Sequence, residues 1–254
     1  MADLIGRRAI VTGGSRGIGR AIARSLTQAG ANVIVFGRSE AALTAVVDAG
    51  DAGHGVVADV TDAASLRWAI ERALAGGPVD ILVNNAGTAA SGPFLKQSDD
   101  AFAEMLAQHL TAPVLASRAV LPAMLAAGRG RILNVASTAA LKGYAFMTAY
   151  TAAKHAMLGF TRALALETAA SGVTVNAVCP GFTETDLVRD GMVQRAAKQG
   201  RAPEELMREF TASKPMKRLV RPDEVAAAAL WLMSDGAAAV TGQAVVVDGG
   251  EMSA

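Results

Sequence analysis

The chain has a single cysteine among 254 residues, so no disulfide can form within it, which favours a reducing compartment. An excess of charge of one sign is missing as well. Lys plus Arg number 24 against 23 Asp plus Glu, which removes the electrostatic case for a nucleic-acid or anionic-membrane partner. No uninterrupted apolar run reaches spanning length. The best candidate, residues 110–127, holds Arg118 and two prolines and is not expected to be a membrane helix. The opening MADLIGRRAIVTGG has an acid at Asp3 and no apolar core segment, so it does not read as a signal peptide. His54 and His155 lack partners at ligand spacing, so no metal site is expected. With 52% hydrophobic and 19% charged residues, disorder is also excluded. The default expectation is a soluble cytoplasmic enzyme with an ample core.

The chain does contain short apolar runs alternating with longer helical patterns. Residues 8–12 (RAIVT) read as a strand. The next stretch carries Ile18, Ile22 and Leu26 at i, i+4 and i+8, one apolar helix face that Gly30 closes. Further strands are expected at 32–36, 56–59, 81–84, 132–136, 173–178 and 244–247. Helices are expected at 65–74, 101–126, 150–169 and 223–233. The strands are apolar throughout rather than alternating, so both faces are buried, as in a parallel sheet. With no linker, repeat or low-complexity break, residues 1–254 read as one α/β domain, a doubly wound sheet of the Rossmann type. The stretch 183–221 is rich in charge and methionine and reads as a helical excursion, a lid over the substrate site.

Between the first strand and the first helix lies TGGSRGIG at 12–19. Glycines there let the backbone turn tightly and approach a pyrophosphate, whose charge rests on the helix N-terminus. Gly13, Ser15, Arg16, Gly17, Ile18 and Gly19 are therefore candidate cofactor contacts. The competing reading is a tight turn with no ligand. An NAD site usually ends its second strand with an acid that bonds the ribose 2′-hydroxyl. Here that strand ends Phe36-Gly37-Arg38-Ser39, with no acid. Arg38 and Arg16 would flank a 2′-phosphate as planar, charge-matched donors, so NADP(H) is expected over NAD(H).

YTAAK at 150–154 sets a phenol, Tyr150, and an ammonium, Lys154, at i and i+4 on one helix face. Ser137 falls at the carboxyl end of a predicted strand, where open α/β sheets hold ligands. The set suits carbonyl reduction, in which a proton must reach an alkoxide as it forms. A free tyrosine titrates at about 10, and an adjacent Lys⁺ favours the phenolate; a shift of ~3 units is about 4 kcal/mol. Ser137 would hydrogen-bond the substrate oxygen as charge develops. A lone Y-x-x-x-K pair is equally a common helical surface pair.

Taken in order, TGGSRGIG at 12–19, Asp59-Val60, Asn84-Asn85-Ala86-Gly87, Ser137 with Tyr150 and Lys154, and Pro180-Gly181 give the chain a clear likeness. It resembles the short-chain dehydrogenase/reductase family over essentially its full length. The resemblance implies that Asp59 and Val60 contact adenine and that Asn85, Ala86 and Gly87 support sheet and cofactor. It puts Thr183 and Thr185, after Pro180 and Gly181, at the nicotinamide amide. Tyr150 becomes the acid/base, and Lys154 binds the nicotinamide ribose while tuning Tyr150. A homo-oligomer, a tetramer or dimer, is implied too. One departure stands out. The family usually holds a relay water on an asparagine, and AQHLT at 107–111 puts His109 there. An imidazole titrating near neutrality would serve as a relay member; a histidine that only packs and caps is the other reading.

The 183–221 segment resembles the lid of 3-hydroxybutyrate dehydrogenases. Their NAD-selecting acid is absent, however, and Ala89, Ala139 and Met147 stand where they hold polar substrate-carboxylate residues. The block from Asn134 through Gly181 also resembles reductases of 3-oxoacyl thioesters and polyketides. Met147, Met192, Met207 and Met216 would line an adaptable apolar pocket if they face inward; ordinary helix packing is the other reading. The expected activity is NADPH-dependent reduction of a 3-oxoacyl thioester, on CoA or an acyl carrier, or of a similar bulky ketone. The alternatives are oxidation of a 3-hydroxy acid, sugar, steroid or other secondary alcohol, and an NADP(H)-sensing protein without turnover. Cys179 reads as a small core hydrophobe, and Trp68 and Trp231 as packing residues.

Overall fold

The computed structural model describes residues 3–253. Seven strands, β1 (Arg8–Thr12), β2 (Asn32–Gly37), β3 (His54–Val57), β4 (Ile81–Asn84), β5 (Gly130–Val135), β6 (Val173–Pro180) and β7 (Ala244–Val247), form one parallel sheet. Their order is β3-β2-β1-β4-β5-β6-β7. The winding reverses between β1 and β4, so a crevice opens beyond the carboxyl ends of that pair. The helices are α1 (Gly17–Gln28), α2 (Glu40–Asp48), α3 (Ala63–Ala75), α4 (Asp99–Leu106), α5 (Ala112–Ala127), α6 (Thr148–Thr168), α7 (Asp186–Gln199), α8 (Pro203–Ala212) and α9 (Pro222–Met233).

The two-residue period of a strand sends neighbouring side chains to opposite layers. Val11, Val33, Val35, Val83 and Leu133 join α1 and α9 on one face. Ile10, Ile34, Phe36, Leu82 and Ile132 meet α3 and α5 on the other. Strands β1, β4, β5 and β6 are buried nearly throughout, which explains their unbroken apolar runs.

Several boundaries differ from expectation. The third strand is His54–Val57, two residues early, because Ile34–Gly37 of β2 pairs with 54–57. Beyond it the chain turns, and the Asp59 carboxylate accepts from the backbone N and Oγ1 of Thr61 (2.9 and 2.7 Å). Helix α2 has only Leu43 and Val46 buried, too little apolar periodicity to announce itself. The long helical pattern at 101–126 contains a π-helical turn, Ala107–Thr111. Pro113, with no N–H to give to the carbonyl of residue 109, follows immediately. By length and composition alone, Asp99–Ala127 would suffice to cross a bilayer. Here Ala112, Ala116, Val120 and Met124 pack into the second core layer. Trp68 and Trp231 are about half exposed, not packed inside: Trp68 lies under the Arg72 guanidinium. The 183–221 stretch forms α7 and α8 outside the sheet.

Candidate active site

A cleft of about 580 Å³ lies at the carboxyl ends of the central strands. All the catalytic and cofactor-binding candidates named from sequence line it, from Gly13 through Tyr150 to Thr185. Thr12 Oγ1 accepts from the N–H groups of Asn85 (3.0 Å) and Ala86 (3.1 Å). In return Asn85 Nδ2 donates to the carbonyls of Thr12 (2.9 Å) and Gly13 (3.1 Å). The turns after β1 and β4 are thus laced together at the switch point. Close approach dictates two glycines: a Cβ at Gly19 would overlap the Asn85 amide and the Gly13 carbonyl, and one at Gly14 would overlap Val35.

The donor set fits a dinucleotide phosphate. Helix α1 has no acid in its first turn, and Arg16 at its N-cap makes no side-chain cap, leaving the first N–H groups to a ligand anion. Arg16 and Arg38 are exposed on the cleft rim, and neither joins an ion pair among the described residues. Thr61's hydrogen bonds, aided by the Arg38 charge, hold the Asp59 carboxyl below its ordinary value.

At the other end, α6 presents Tyr150 and Lys154, and Ser137 follows β5. Lys154 Nζ donates to the Val135 carbonyl at 2.8 Å and sits 5.6 Å from the Tyr150 ring centre. Ser137 Oγ accepts from Ala139 N at 3.1 Å, leaving its own proton to give. Burial raises the Tyr150 phenol above its ordinary value, while a hydrogen bond from Ser137 opposes the rise. The sequence expectation of a lowered phenol is therefore reversed here, because burial penalises each charged form. The same burial lowers Lys154 to about 7 and raises the Cys179 thiol to about 11. Cys179 is fully buried, a core residue without thiolate character.

Beneath these groups runs a buried polar chain. Asn84 Nδ2 donates to Asn134 Oδ1 (2.9 Å), Asn134 Nδ2 to Thr161 Oγ1 (2.8 Å), and Thr161 Oγ1 to the Met157 carbonyl (2.8 Å). It fastens β4, β5 and α6 to one another just below Ser137 and Lys154.

His109 sits inside the π turn and is 2% exposed. Its Nε2 lies 2.8 Å from the Thr88 carbonyl, which only accepts, so this nitrogen carries the proton. Nδ1 is buried without a partner, and the ring meets Tyr150 edge-on at 5.4 Å. Gly87 makes room for the imidazole, since a Cβ there would overlap it. Burial and the Lys154 charge push its pKa down to about 3. Titration near neutrality, the property that suggested a relay, does not hold in this setting. The neighbouring Gln108 Oε1 accepts from Thr88 N (2.8 Å) and Oγ1 (3.0 Å), so the π turn clamps the loop after β4.

On the substrate side, Met147 and Met192 line the cleft. Met207 and Met216 do not: Met207 is half-buried on α8, and the exposed Met216 packs on Gly249. Tyr144 and Phe182, which the sequence reading passed over, complete that wall. Their neighbourhood to known motifs was the only signal: Tyr144 lies between Ser137 and Tyr150, and Phe182 follows Pro180-Gly181.

Comparisons with known proteins agree with this fold. A family model described as Enoyl-(Acyl carrier protein) reductase matches residues 13–251. The chain is 42% identical to D-beta-hydroxybutyrate dehydrogenase of Cupriavidus necator, across 97% of this chain and 98% of that one. It is 39% identical to the 3-oxoacyl-(acyl-carrier-protein) reductase FabG of Escherichia coli, across 96% and 97%. A single-substitution variant of actinorhodin polyketide ketoreductase, solved with NADPH, superposes with a TM-score of 0.93 at 38% identity, covering 98% of each chain. The chain belongs to the short-chain dehydrogenase/reductase family, oxidoreductases acting between a nicotinamide cofactor and ketone or alcohol groups.

Proposed function

We propose that this chain reduces a 3-oxoacyl thioester, on CoA or an acyl carrier, to the 3-hydroxy product with NADPH. One observation carries the reading: Ser137, Tyr150 and Lys154 converge at one end of a cleft whose other end holds two arginines that join no ion pair among the described residues. Arg16 and Arg38 take the 2′-phosphate, the α1 N-terminus takes the diphosphate, and Asp59 and Val60 flank the adenine. Asn85, Ala86 and Gly87 support the sugar, and Pro180, Gly181, Thr183 and Thr185 orient the nicotinamide amide. Bound NADPH supplies the hydride. Ser137 donates a hydrogen bond to the ketone oxygen, and Tyr150 Oη gives it the proton. Burial keeps that phenol protonated, the state reduction requires, and the Lys154 ammonium stabilises the phenolate left behind. His109 acts as a neutral brace against the Tyr150 ring.

Met147, Met192, Ala89 and Ala139 offer no cation to a free carboxylate, which favours a thioester over a small hydroxy acid. The 183–221 segment serves as the lid. Exposed apolar groups such as Leu166 and Trp231, with the partly covered Asp99–Ala127 run, suit pairing with further copies into a homo-oligomer, a tetramer by family likeness. The charge balance and relatives of this kind support a cytoplasmic setting. The test is NADPH oxidation with acetoacetyl-CoA set against free acetoacetate. A kcat/KM at least tenfold higher for the thioester supports the reading, and a preference for the free acid overturns it.

A further inference from the structure

A polar chain of four side chains, spread over 114 positions of sequence, closes the substrate end of the cleft. The Tyr144 hydroxyl lies 2.8 Å from Thr138 Oγ1 and donates to Glu251 Oε1 at 3.2 Å. Glu251 Oε2 lies 3.1 Å from Lys214 Nζ, and both side chains are only 13% exposed. The Lys214 ammonium sits over the Phe182 and Phe210 rings, 4.2 and 4.3 Å from their centres. Those rings meet edge-on at 4.7 Å, and Tyr144 meets Phe182 edge-on at 6.1 Å. Glu251 is held in place by its own turn, in which the Asp248 carboxylate accepts from Gly250 N and Met252 N (2.8 and 2.7 Å).

Three separate pieces of chain meet here: the loop between Ser137 and Tyr150, the 183–221 excursion, and the segment after β7. Each supplies something the others lack. Phe182 and Tyr144 face the cleft, whereas Lys214 and Glu251 do not touch it. Burying a lone carboxylate or ammonium at this depth is unfavourable, so each charge keeps the other in place. Thr138 donates to the phenol and the phenol donates to the carboxylate, which fixes the phenol's orientation.

We infer that Tyr144 is a substrate-positioning residue and that the Glu251–Lys214 pair, acting through Tyr144 and Phe182, latches the 183–221 segment over the bound ketone. Tyr144 and Phe182 form the wall against which the acyl group beyond the reacting carbonyl lies. Glu251 is a positioning residue that never meets the substrate. The inference rests on the ketone-reductase reading for its kinetic consequence, but the latch itself can be tested without turnover.

The experiment compares Glu251→Gln, Lys214→Met, the double variant and Tyr144→Phe with the parent chain. Four readouts are taken: KM for acetoacetyl-CoA, NADPH affinity by fluorescence, the rate of tryptic cleavage within 186–212, and the thermal midpoint. Glu251→Gln and Lys214→Met should each raise KM and the cleavage rate about tenfold, with NADPH affinity unchanged. The double variant should be no worse than either single one, because the pair acts as a unit. Tyr144→Phe, which keeps the ring, should show the smaller part of the effect. Unchanged KM and cleavage rate in both single variants overturn the latch. So does a parallel loss of NADPH affinity and thermal stability, which marks a general structural role. If the parent chain leaves acetoacetyl-CoA unreduced, the thioester reading fails, while the cleavage rates still decide the latch.

Discussion

Replacing His109 by asparagine should make the protein more resistant to acid. The imidazole is buried, bonds only through Nε2, and is held down to about 3 against an ordinary value of 6.5. An unfolded chain binds a proton on this ring below pH 6.5, whereas the folded chain refuses it until about pH 3. Stability contributed by the neutral ring is therefore present above pH 6.5 and lost as pH falls through that window. Each pH unit in the window is worth about 1.4 kcal/mol. At pH 4.5, two units down, the loss is about 3 kcal/mol, and it reaches about 4 kcal/mol at pH 3. Asparagine does not titrate, so it escapes the loss. Urea unfolding of both proteins at pH 7.5 and 4.5 isolates the effect, because all other titrating groups are shared. The stability difference should move by about 3 kcal/mol in favour of asparagine at the lower pH. A difference that does not change with pH would mean that the folded chain accepts the proton, and the account of a neutral brace fails. The same account expects the pH–rate profile between pH 6 and 9 to be unaltered by the substitution.

Other perturbations follow from the same geometry. Gly87→Ala drives a methyl into the His109 ring and should lower stability by about 1–3 kcal/mol; thermal melts of the single variant and of Gly87→Ala with His109→Ser should show partial recovery in the latter. Arg38→Ala removes one charge-assisted contact worth about 1.5–3 kcal/mol, so the NADPH KM should rise about 10- to 100-fold while the NADH KM stays level. Equal effects on the two cofactors would sink the phosphate assignment. Asn134→Ala leaves the buried Asn84 amide only its long contact to Ser117 Oγ (3.5 Å) and should lower unfolding free energy by about 1–3 kcal/mol, measured in urea.

The sheet was largely readable from the chain because buried parallel strands are unbroken apolar runs. The expected spans of β1, β4 and β7 match the observed ones residue for residue. The edge strand β3 was misplaced because it is mostly exposed and carries no such run. The motifs converge on one cleft, since each sits where the winding puts strand ends together. Depth was not readable. Tyr150 and Lys154 stand four apart in any helix, but only the fold reveals that burial, rather than their mutual charge, governs the phenol. Partnership across long separation was equally hidden: Tyr144 and Glu251 lie 107 residues apart. The four methionines looked alike in sequence, yet two face the cleft and two do not, because α8 and residue 216 turn theirs elsewhere.

The central claim is that Tyr150 gives the proton in a reduction driven by NADPH, and one comparison tests it most directly. NADPH oxidation with acetoacetyl-CoA is measured for the parent chain and for Tyr150→Phe, with NADPH affinity measured alongside. The account predicts turnover in the parent, a loss of at least 1,000-fold in kcat for the variant, and cofactor affinity retained by both. Equal rates in the two proteins, or tight NADPH binding by the parent with no turnover of any ketone, would contradict it.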